Sequence, residues 1–109
     1  MRAPKPLRIA RPAEKAIQKM PPEARARFAQ AFALLVEGFQ PGDFKPMPSV
    51  GAGVYEVRVR TAAGAFRAFY LTRRAEAIYV LHAFEKKTQQ TPRHDIETGR
   101  QRLADLPPA

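Results

Sequence analysis

Cysteine is absent from the chain, which removes both a disulfide framework and a thiolate metal site. Histidine is scarce: only His82 and His94 are present, too few for an ordinary zinc site. No apolar run approaches the ~20 residues of a membrane span, and Met1 to Ala10 mixes basic residues with prolines in place of a signal-like apolar core. A soluble cytoplasmic protein with no membrane partner is the expectation. No phosphate-binding glycine loop, nucleophile elbow or metal-binding motif occurs, and Gly51 and Gly53 stand in the wrong context for a nucleotide cradle. Acids are also few. Glu56, Glu76 and Glu85 lie scattered among basic residues, so a metal-dependent nuclease would be hard to assemble, and neither a metal nor a cofactor is expected.

The abundant charge is positive. Nineteen Lys+Arg against ten Asp+Glu leave a formal net charge of +9, a potential that attracts phosphate polymers, anionic surfaces or an acidic protein. At 109 residues, 45% of them hydrophobic, the chain suffices for one domain, residues 1–109, with one core.

The pattern along the chain predicts an α+β fold. Leu7, Arg8 and Ile9 suit a short edge strand. "PAEKAIQKM" places Ala13, Ala16, Ile17 and Met20 at helical spacing behind Pro12, and the prolines after Met20 end that helix. A second helix starts at Pro22-Glu23, carries Ala24, Phe28, Ala31, Phe32 and Leu35 on one stripe, and stops near Gly38. The two read as an antiparallel hairpin of unequal arms. The glycine- and proline-rich stretch "GFQPGDFKPMPSVGAG" shows no periodicity and reads as a long loop.

From Val54 the period becomes two. "VYEVRVR", "AFRAFYLT" and "IYVLHAF" predict three strands joined by short turns, an antiparallel meander with the last strand in a central or doubly covered position. Thr91 as N-cap and Pro92 as first residue open a final helix whose Ile96, Leu103 and Leu106 share a face. The expected architecture is a helical hairpin and a C-terminal helix packed on one face of a small antiparallel sheet.

In-register pairing of the meander would bring Arg58, Arg60, Arg67, Lys86 and Lys87 to one sheet face. The plain reading is a solvated charged surface. Arg67 argues for more, because it interrupts the apolar run "AFRAFYL", where a charge is costly unless paired or bound. His82 alternates with Val80 and Phe84 and reads either as a core histidine or as a general acid or base beside the arginines. Tyr70 and Tyr79 read as packing residues. Thr88, Gln89 and Gln90 have the groups to orient a phosphate or a base, and His94 reads as a surface residue. RNA cleavage needs no metal, since the 2′-hydroxyl is the nucleophile and the protein supplies a base, an acid and cations for the pentacoordinate phosphate.

Three segments in order, "GVYEVR", "FRAFY" and "AIYVLHAFEKKTQQTP", preceded by a helical hairpin and "KPM", cover essentially the whole domain. In them the chain resembles the phage-derived Gp49-like, HigB-type branch of the RelE/ParE toxin superfamily. The resemblance implies a RelE-like fold and a type II toxin that cuts mRNA on the ribosome. A cognate antitoxin, a helix-turn-helix protein encoded next to it, would restrain the toxin, with operator DNA reached through the antitoxin complex. Matched by motif, the implied catalytic residues are Arg67, Lys87 and Lys86 with His82 in reserve, and the implied RNA-binding residues are Arg58, Arg60, Thr88 and Gln89. Where some RelE proteins place a tyrosine after the last strand, Thr88 to Pro92 contains none. Two other readings remain: a ParE-like inhibitor of DNA gyrase that acts by protein binding, and a non-catalytic basic nucleic-acid-binding module.

Overall fold

The computed structural model describes residues 4–108. Its elements are β1 (Leu7–Ile9), α1 (Arg11–Gln18), α2 (Pro22–Val36), β2 (Phe44–Pro46), β3 (Val54–Thr61), β4 (Gly64–Leu71), β5 (Ile78–Lys86) and α3 (Arg93–Ala104). They form one five-stranded sheet in the order β1-β5-β4-β3-β2. The meander is present as expected, with β3 and β4 closing a tight turn at Thr61↔Gly64 and β5 lying between β4 and β1. β1 pairs with β5 in parallel, so the sheet is mixed. No helix among the described residues is long and apolar enough to cross a membrane.

Alternation sorts the strands into two apolar layers. On one face Val57, Val59, Phe66, Ala68, Tyr70, Ile78 and Val80 meet the expected stripe of α2, Ala24, Phe28, Ala31, Phe32 and Leu35, together with Ala13 of α1. α1 rests mainly on β5 and α2 on β3. On the opposite face Val54, Phe69, Leu71, Tyr79, Leu81 and Phe84 meet Met47 and Val50 and the α3 residues Ile96, Leu103 and Leu106. The helices therefore do not share one face: α3 covers the other side. A small residue makes that approach possible, because a methyl group at Gly99 would come within 2.8 Å of the Phe69 ring and 3.0 Å of Val50.

Three further expectations are corrected. The stretch read as a long loop contains β2, whose Phe44, Lys45 and Pro46 pair with Val57, Glu56 and Tyr55. Three residues that include a proline carry no period, and only the partner strand makes them extended. Thr91 is not the N-cap of α3; Pro92 holds that position without a side-chain cap, and the Thr91 hydroxyl donates instead to Glu56 Oε2 at 2.9 Å. The simple alternation of Val80, His82 and Phe84 also fails. A bulge shifts the register so that Tyr70 faces Val80 while Phe69 faces His82, leaving Leu81 as the extra residue. Val80 points to the α1–α2 side, whereas His82, Phe84 and Lys86 lie opposite Phe69, Arg67 and Ala65 on the α3 side. The bulge thereby delivers Lys86 to the face that carries Arg67.

Candidate phosphate-binding site

α3 covers one end of its sheet face and leaves the other end open. There Arg60, Ala65, Arg67, Lys86, Lys87, Thr88 and Gln89 surround an open pocket of about 460 Å³. The polar residues come from the expected sources: Arg60 from β3, Arg67 from the middle of β4, Lys86 from the end of β5, and Lys87, Thr88 and Gln89 from the segment that follows. Direct register neighbours build the floor, with Ala65 of β4 between Arg60 and Lys86. The alanine leaves the space.

Arg67 is the deepest cation, 3% exposed, and its charge is balanced by Glu56 of β3, which is fully buried. Glu56 Oε1 stands 3.5 Å from Arg67 Nε, and neither atom has a hydrogen-bond partner; Arg67 Nη1 has none either. The contact supplies opposite charge without directed bonds, and the cost of burying the unpaired donors persists until something accepts from them. Burial lowers the Arg67 pKa, Glu56 opposes the shift, and Arg58 and Arg60 add to it. A guanidinium remains protonated throughout.

Lys86 is half-buried at the strand end. Burial lowers its pKa, and the charges of Arg67, Lys45 and Arg58 act in the same direction while Glu56 opposes them. These surroundings favour loss of the Lys86 proton relative to an ordinary lysine. Lys87, Thr88 and Gln89 are exposed on the rim, where the Thr88 hydroxyl donates to the Gln90 carbonyl at 2.6 Å.

Two sequence candidates lie apart from the pocket lining. Arg58 is engaged by Asp43, with Nη2 at 2.8 Å and Nε at 2.9 Å from the same carboxylate oxygen. His82 lies beneath α3, 14% exposed, stacked on Phe84 at 5.1 Å between ring centroids, with Nε2 2.7 Å from Asp95 Oδ1. Burial lowers its pKa and Asp95 pulls the other way. A neutral ring protonated on Nε2 donates to Asp95 and leaves Nδ1 facing Arg102 Nη1 at 3.5 Å. Arg102 also donates to the carbonyl of the bulged Leu81 at 3.0 Å, so the cluster is internally satisfied. His94 is a surface residue, 82% exposed.

Sequence reasoning missed two residues beside the site. Lys45 of β2 reaches within 4.0 Å of Glu56 Oε1, and its strand had no period to announce it. Glu56 had a signal: it is the acidic position on the charged face of "VYEVRVR", one same-face step from Arg58, which pairs with Arg67.

Fold and site together define a small α+β protein, compatible with the RelE-like fold, that gathers cations at the open end of one sheet face. Residues 15–104 match the family described as phage derived protein Gp49-like, and the chain belongs to that family, a phage-derived, toxin-like one. No curated protein matches the chain.

Proposed function

We propose that this protein is the toxin of a type II toxin-antitoxin pair and that it cleaves mRNA on the ribosome. The observation that supports this reading most strongly is Arg67: a buried guanidinium with two unpaired donors at the floor of a pocket ringed by Arg60, Lys86 and Lys87. A phosphodiester would satisfy those donors, and its developing charge is what preorganised cations stabilise best. Arg67 then holds the scissile phosphate. Arg60, with Arg58 beside it and Thr88 and Gln89 on the rim, holds the flanking backbone.

In the proposed reaction the 2′-oxygen attacks phosphorus while its proton passes to a neutral Lys86. The bond from phosphorus to the 5′-oxygen breaks, and the leaving oxygen takes a proton from the Lys87 ammonium. The products are a 2′,3′-cyclic phosphate and a 5′-hydroxyl. The pocket side chains are cations, a hydroxyl and an amide, which suits a reaction whose nucleophile the RNA itself carries. His82 takes no part in this scheme, its ring being committed to Asp95. The antitoxin, a helix-turn-helix protein in this reading, restrains the toxin and carries it to operator DNA.

Induced expression of the wild type and Lys86→Met, with transcriptome-wide mapping of mRNA 5′ ends, tests the reading. New 5′-hydroxyl ends within translated frames, absent in the variant, are expected. Growth arrest with intact mRNA would overturn cleavage in favour of a protein target such as gyrase, and salt-sensitive RNA binding without cleavage would reduce the protein to a binding module.

A further inference from the structure

Glu56 is the one carboxylate among the pocket's cations that solvent does not reach, and its two oxygens face different parts of the pocket. Oε1 faces the floor, 3.5 Å from Arg67 and 4.0 Å from Lys45. Oε2 accepts the Thr91 hydroxyl at 2.9 Å. Thr91 ends the exposed segment 87–90, which supplies the rim residues Lys87, Thr88 and Gln89. Among the described residues the only side-chain bond within that rim is the local one from Thr88 to Gln90. Glu56 thus ties floor to rim across 35 residues of sequence.

We infer that Glu56 is a positioning residue for anion binding: it holds the Arg67 guanidinium at the pocket floor and pins the rim through Thr91. Fully buried, it does not touch a ligand itself. The inference rests on the pocket being a phosphate site, and it makes a prediction opposite to that of simple electrostatics. Neutralising a carboxylate among cations raises the local positive potential and, if nothing else changed, would tighten anion binding. If Glu56 positions the pocket, the same change weakens it.

Inorganic phosphate is the probe, titrated into the full-length protein labelled with nitrogen-15 and read from the Arg67 Nε–H signal and the backbone amides of residues 87–90. Glu56→Gln should weaken phosphate binding about tenfold or more, the scale of a charge-assisted contact. Thr91→Val, which keeps the carboxylate and the side-chain shape, should weaken it about fivefold, the scale of one hydrogen bond, and should uncouple the rim amides from the titration. Asp43→Asn removes a more exposed carboxylate near Arg58 and is the electrostatic control, with binding held or tightened. Phosphate bound as tightly or more tightly by Glu56→Gln and by Thr91→Val would overturn the positioning role and leave the pocket standing. Should Glu56→Gln fail to fold, Thr91→Val alone decides, and unchanged affinity there overturns the inference. Absence of phosphate binding to the wild type would overturn the phosphate-site reading and this inference with it.

Discussion

The α3 side of the sheet holds two buried acid–base couples, Asp95 with His82 under the helix and Glu56 with Arg67 at the open end. Under α3 the groups are used up. Asp95 receives the imidazole at 2.7 Å, and Arg102 closes the other ring nitrogen and the free carbonyl of the bulge. At the open end Oε1, Nε and Nη1 stay unpaired within a cationic ring. A buried polar cluster whose members satisfy one another fixes structure; one that leaves strong donors unpaired beneath a pocket retains a cost that a bound acceptor would relieve. Arg67 of the second lines the cation-ringed pocket. A larger apolar groove, about 520 Å³ between β1, α1 and α2, lies on the opposite face, away from these charges.

The contrast is broken most severely at Lys86. Lys86→Met should lower RNA cleavage by about 10²- to 10⁴-fold, the usual weight of a proton-transfer group, with stability changed by no more than about 0.5 kcal/mol. Primer-extension assays on purified ribosome complexes, beside urea unfolding, measure both. Arg67→Met should instead damage fold and function together. Removing one partner of a buried pair costs about 3–5 kcal/mol, so a large fall in urea midpoint is expected. A midpoint equal to that of the wild type would show that Glu56 needs no counterion.

Gly99→Ala tests the covered end through packing alone. The added methyl meets Phe69 and Val50, and a loss of about 1–3 kcal/mol, partly offset by better helix propensity, should appear in thermal unfolding with the pocket unchanged. Acidification tests the same end through His82. Its folded pKa lies below the ordinary value of 6.5, so the unfolded chain takes up the proton first; stability is full above that value and declines as pH falls through it. Melting midpoints should drop below pH 6.5, and His82→Gln should remove part of the drop. A midpoint that rises on acidification would show that the charged His82–Asp95 pair outweighs burial. The smallest effect belongs to Arg58, whose pair with Asp43 is solvent-accessible: Arg58→Ala should cost about 0.2–1 kcal/mol and lessen the salt dependence of RNA binding.

Much of this was readable one element at a time. The stripe from Ala24 to Leu35, the alternation of β3 and β4, and the expense of Arg67 within an apolar strand are local patterns with periods of 3.6 or 2. They predicted two helices, the meander, and the meeting of Arg60, Arg67 and Lys86. Thr91 misled because a threonine before a proline is a good local cap, and its actual acceptor is 35 residues away. β2 was invisible because its pairing with β3, not its own residues, makes it a strand.

By itself, then, the sequence determined which residues are apolar, with what period, and how much positive charge the domain must place on its surface. Tertiary structure alone decided how the residues of β5 divide between the two faces and which face α3 covers. One bulged residue, Leu81, reversed the facing of everything after it in β5, and the small Gly99 let α3 settle on the side opposite α1 and α2. Both depend on contacts between segments far apart in the chain. A one-residue change of register moves a whole set of side chains through the sheet while leaving the local pattern unaltered.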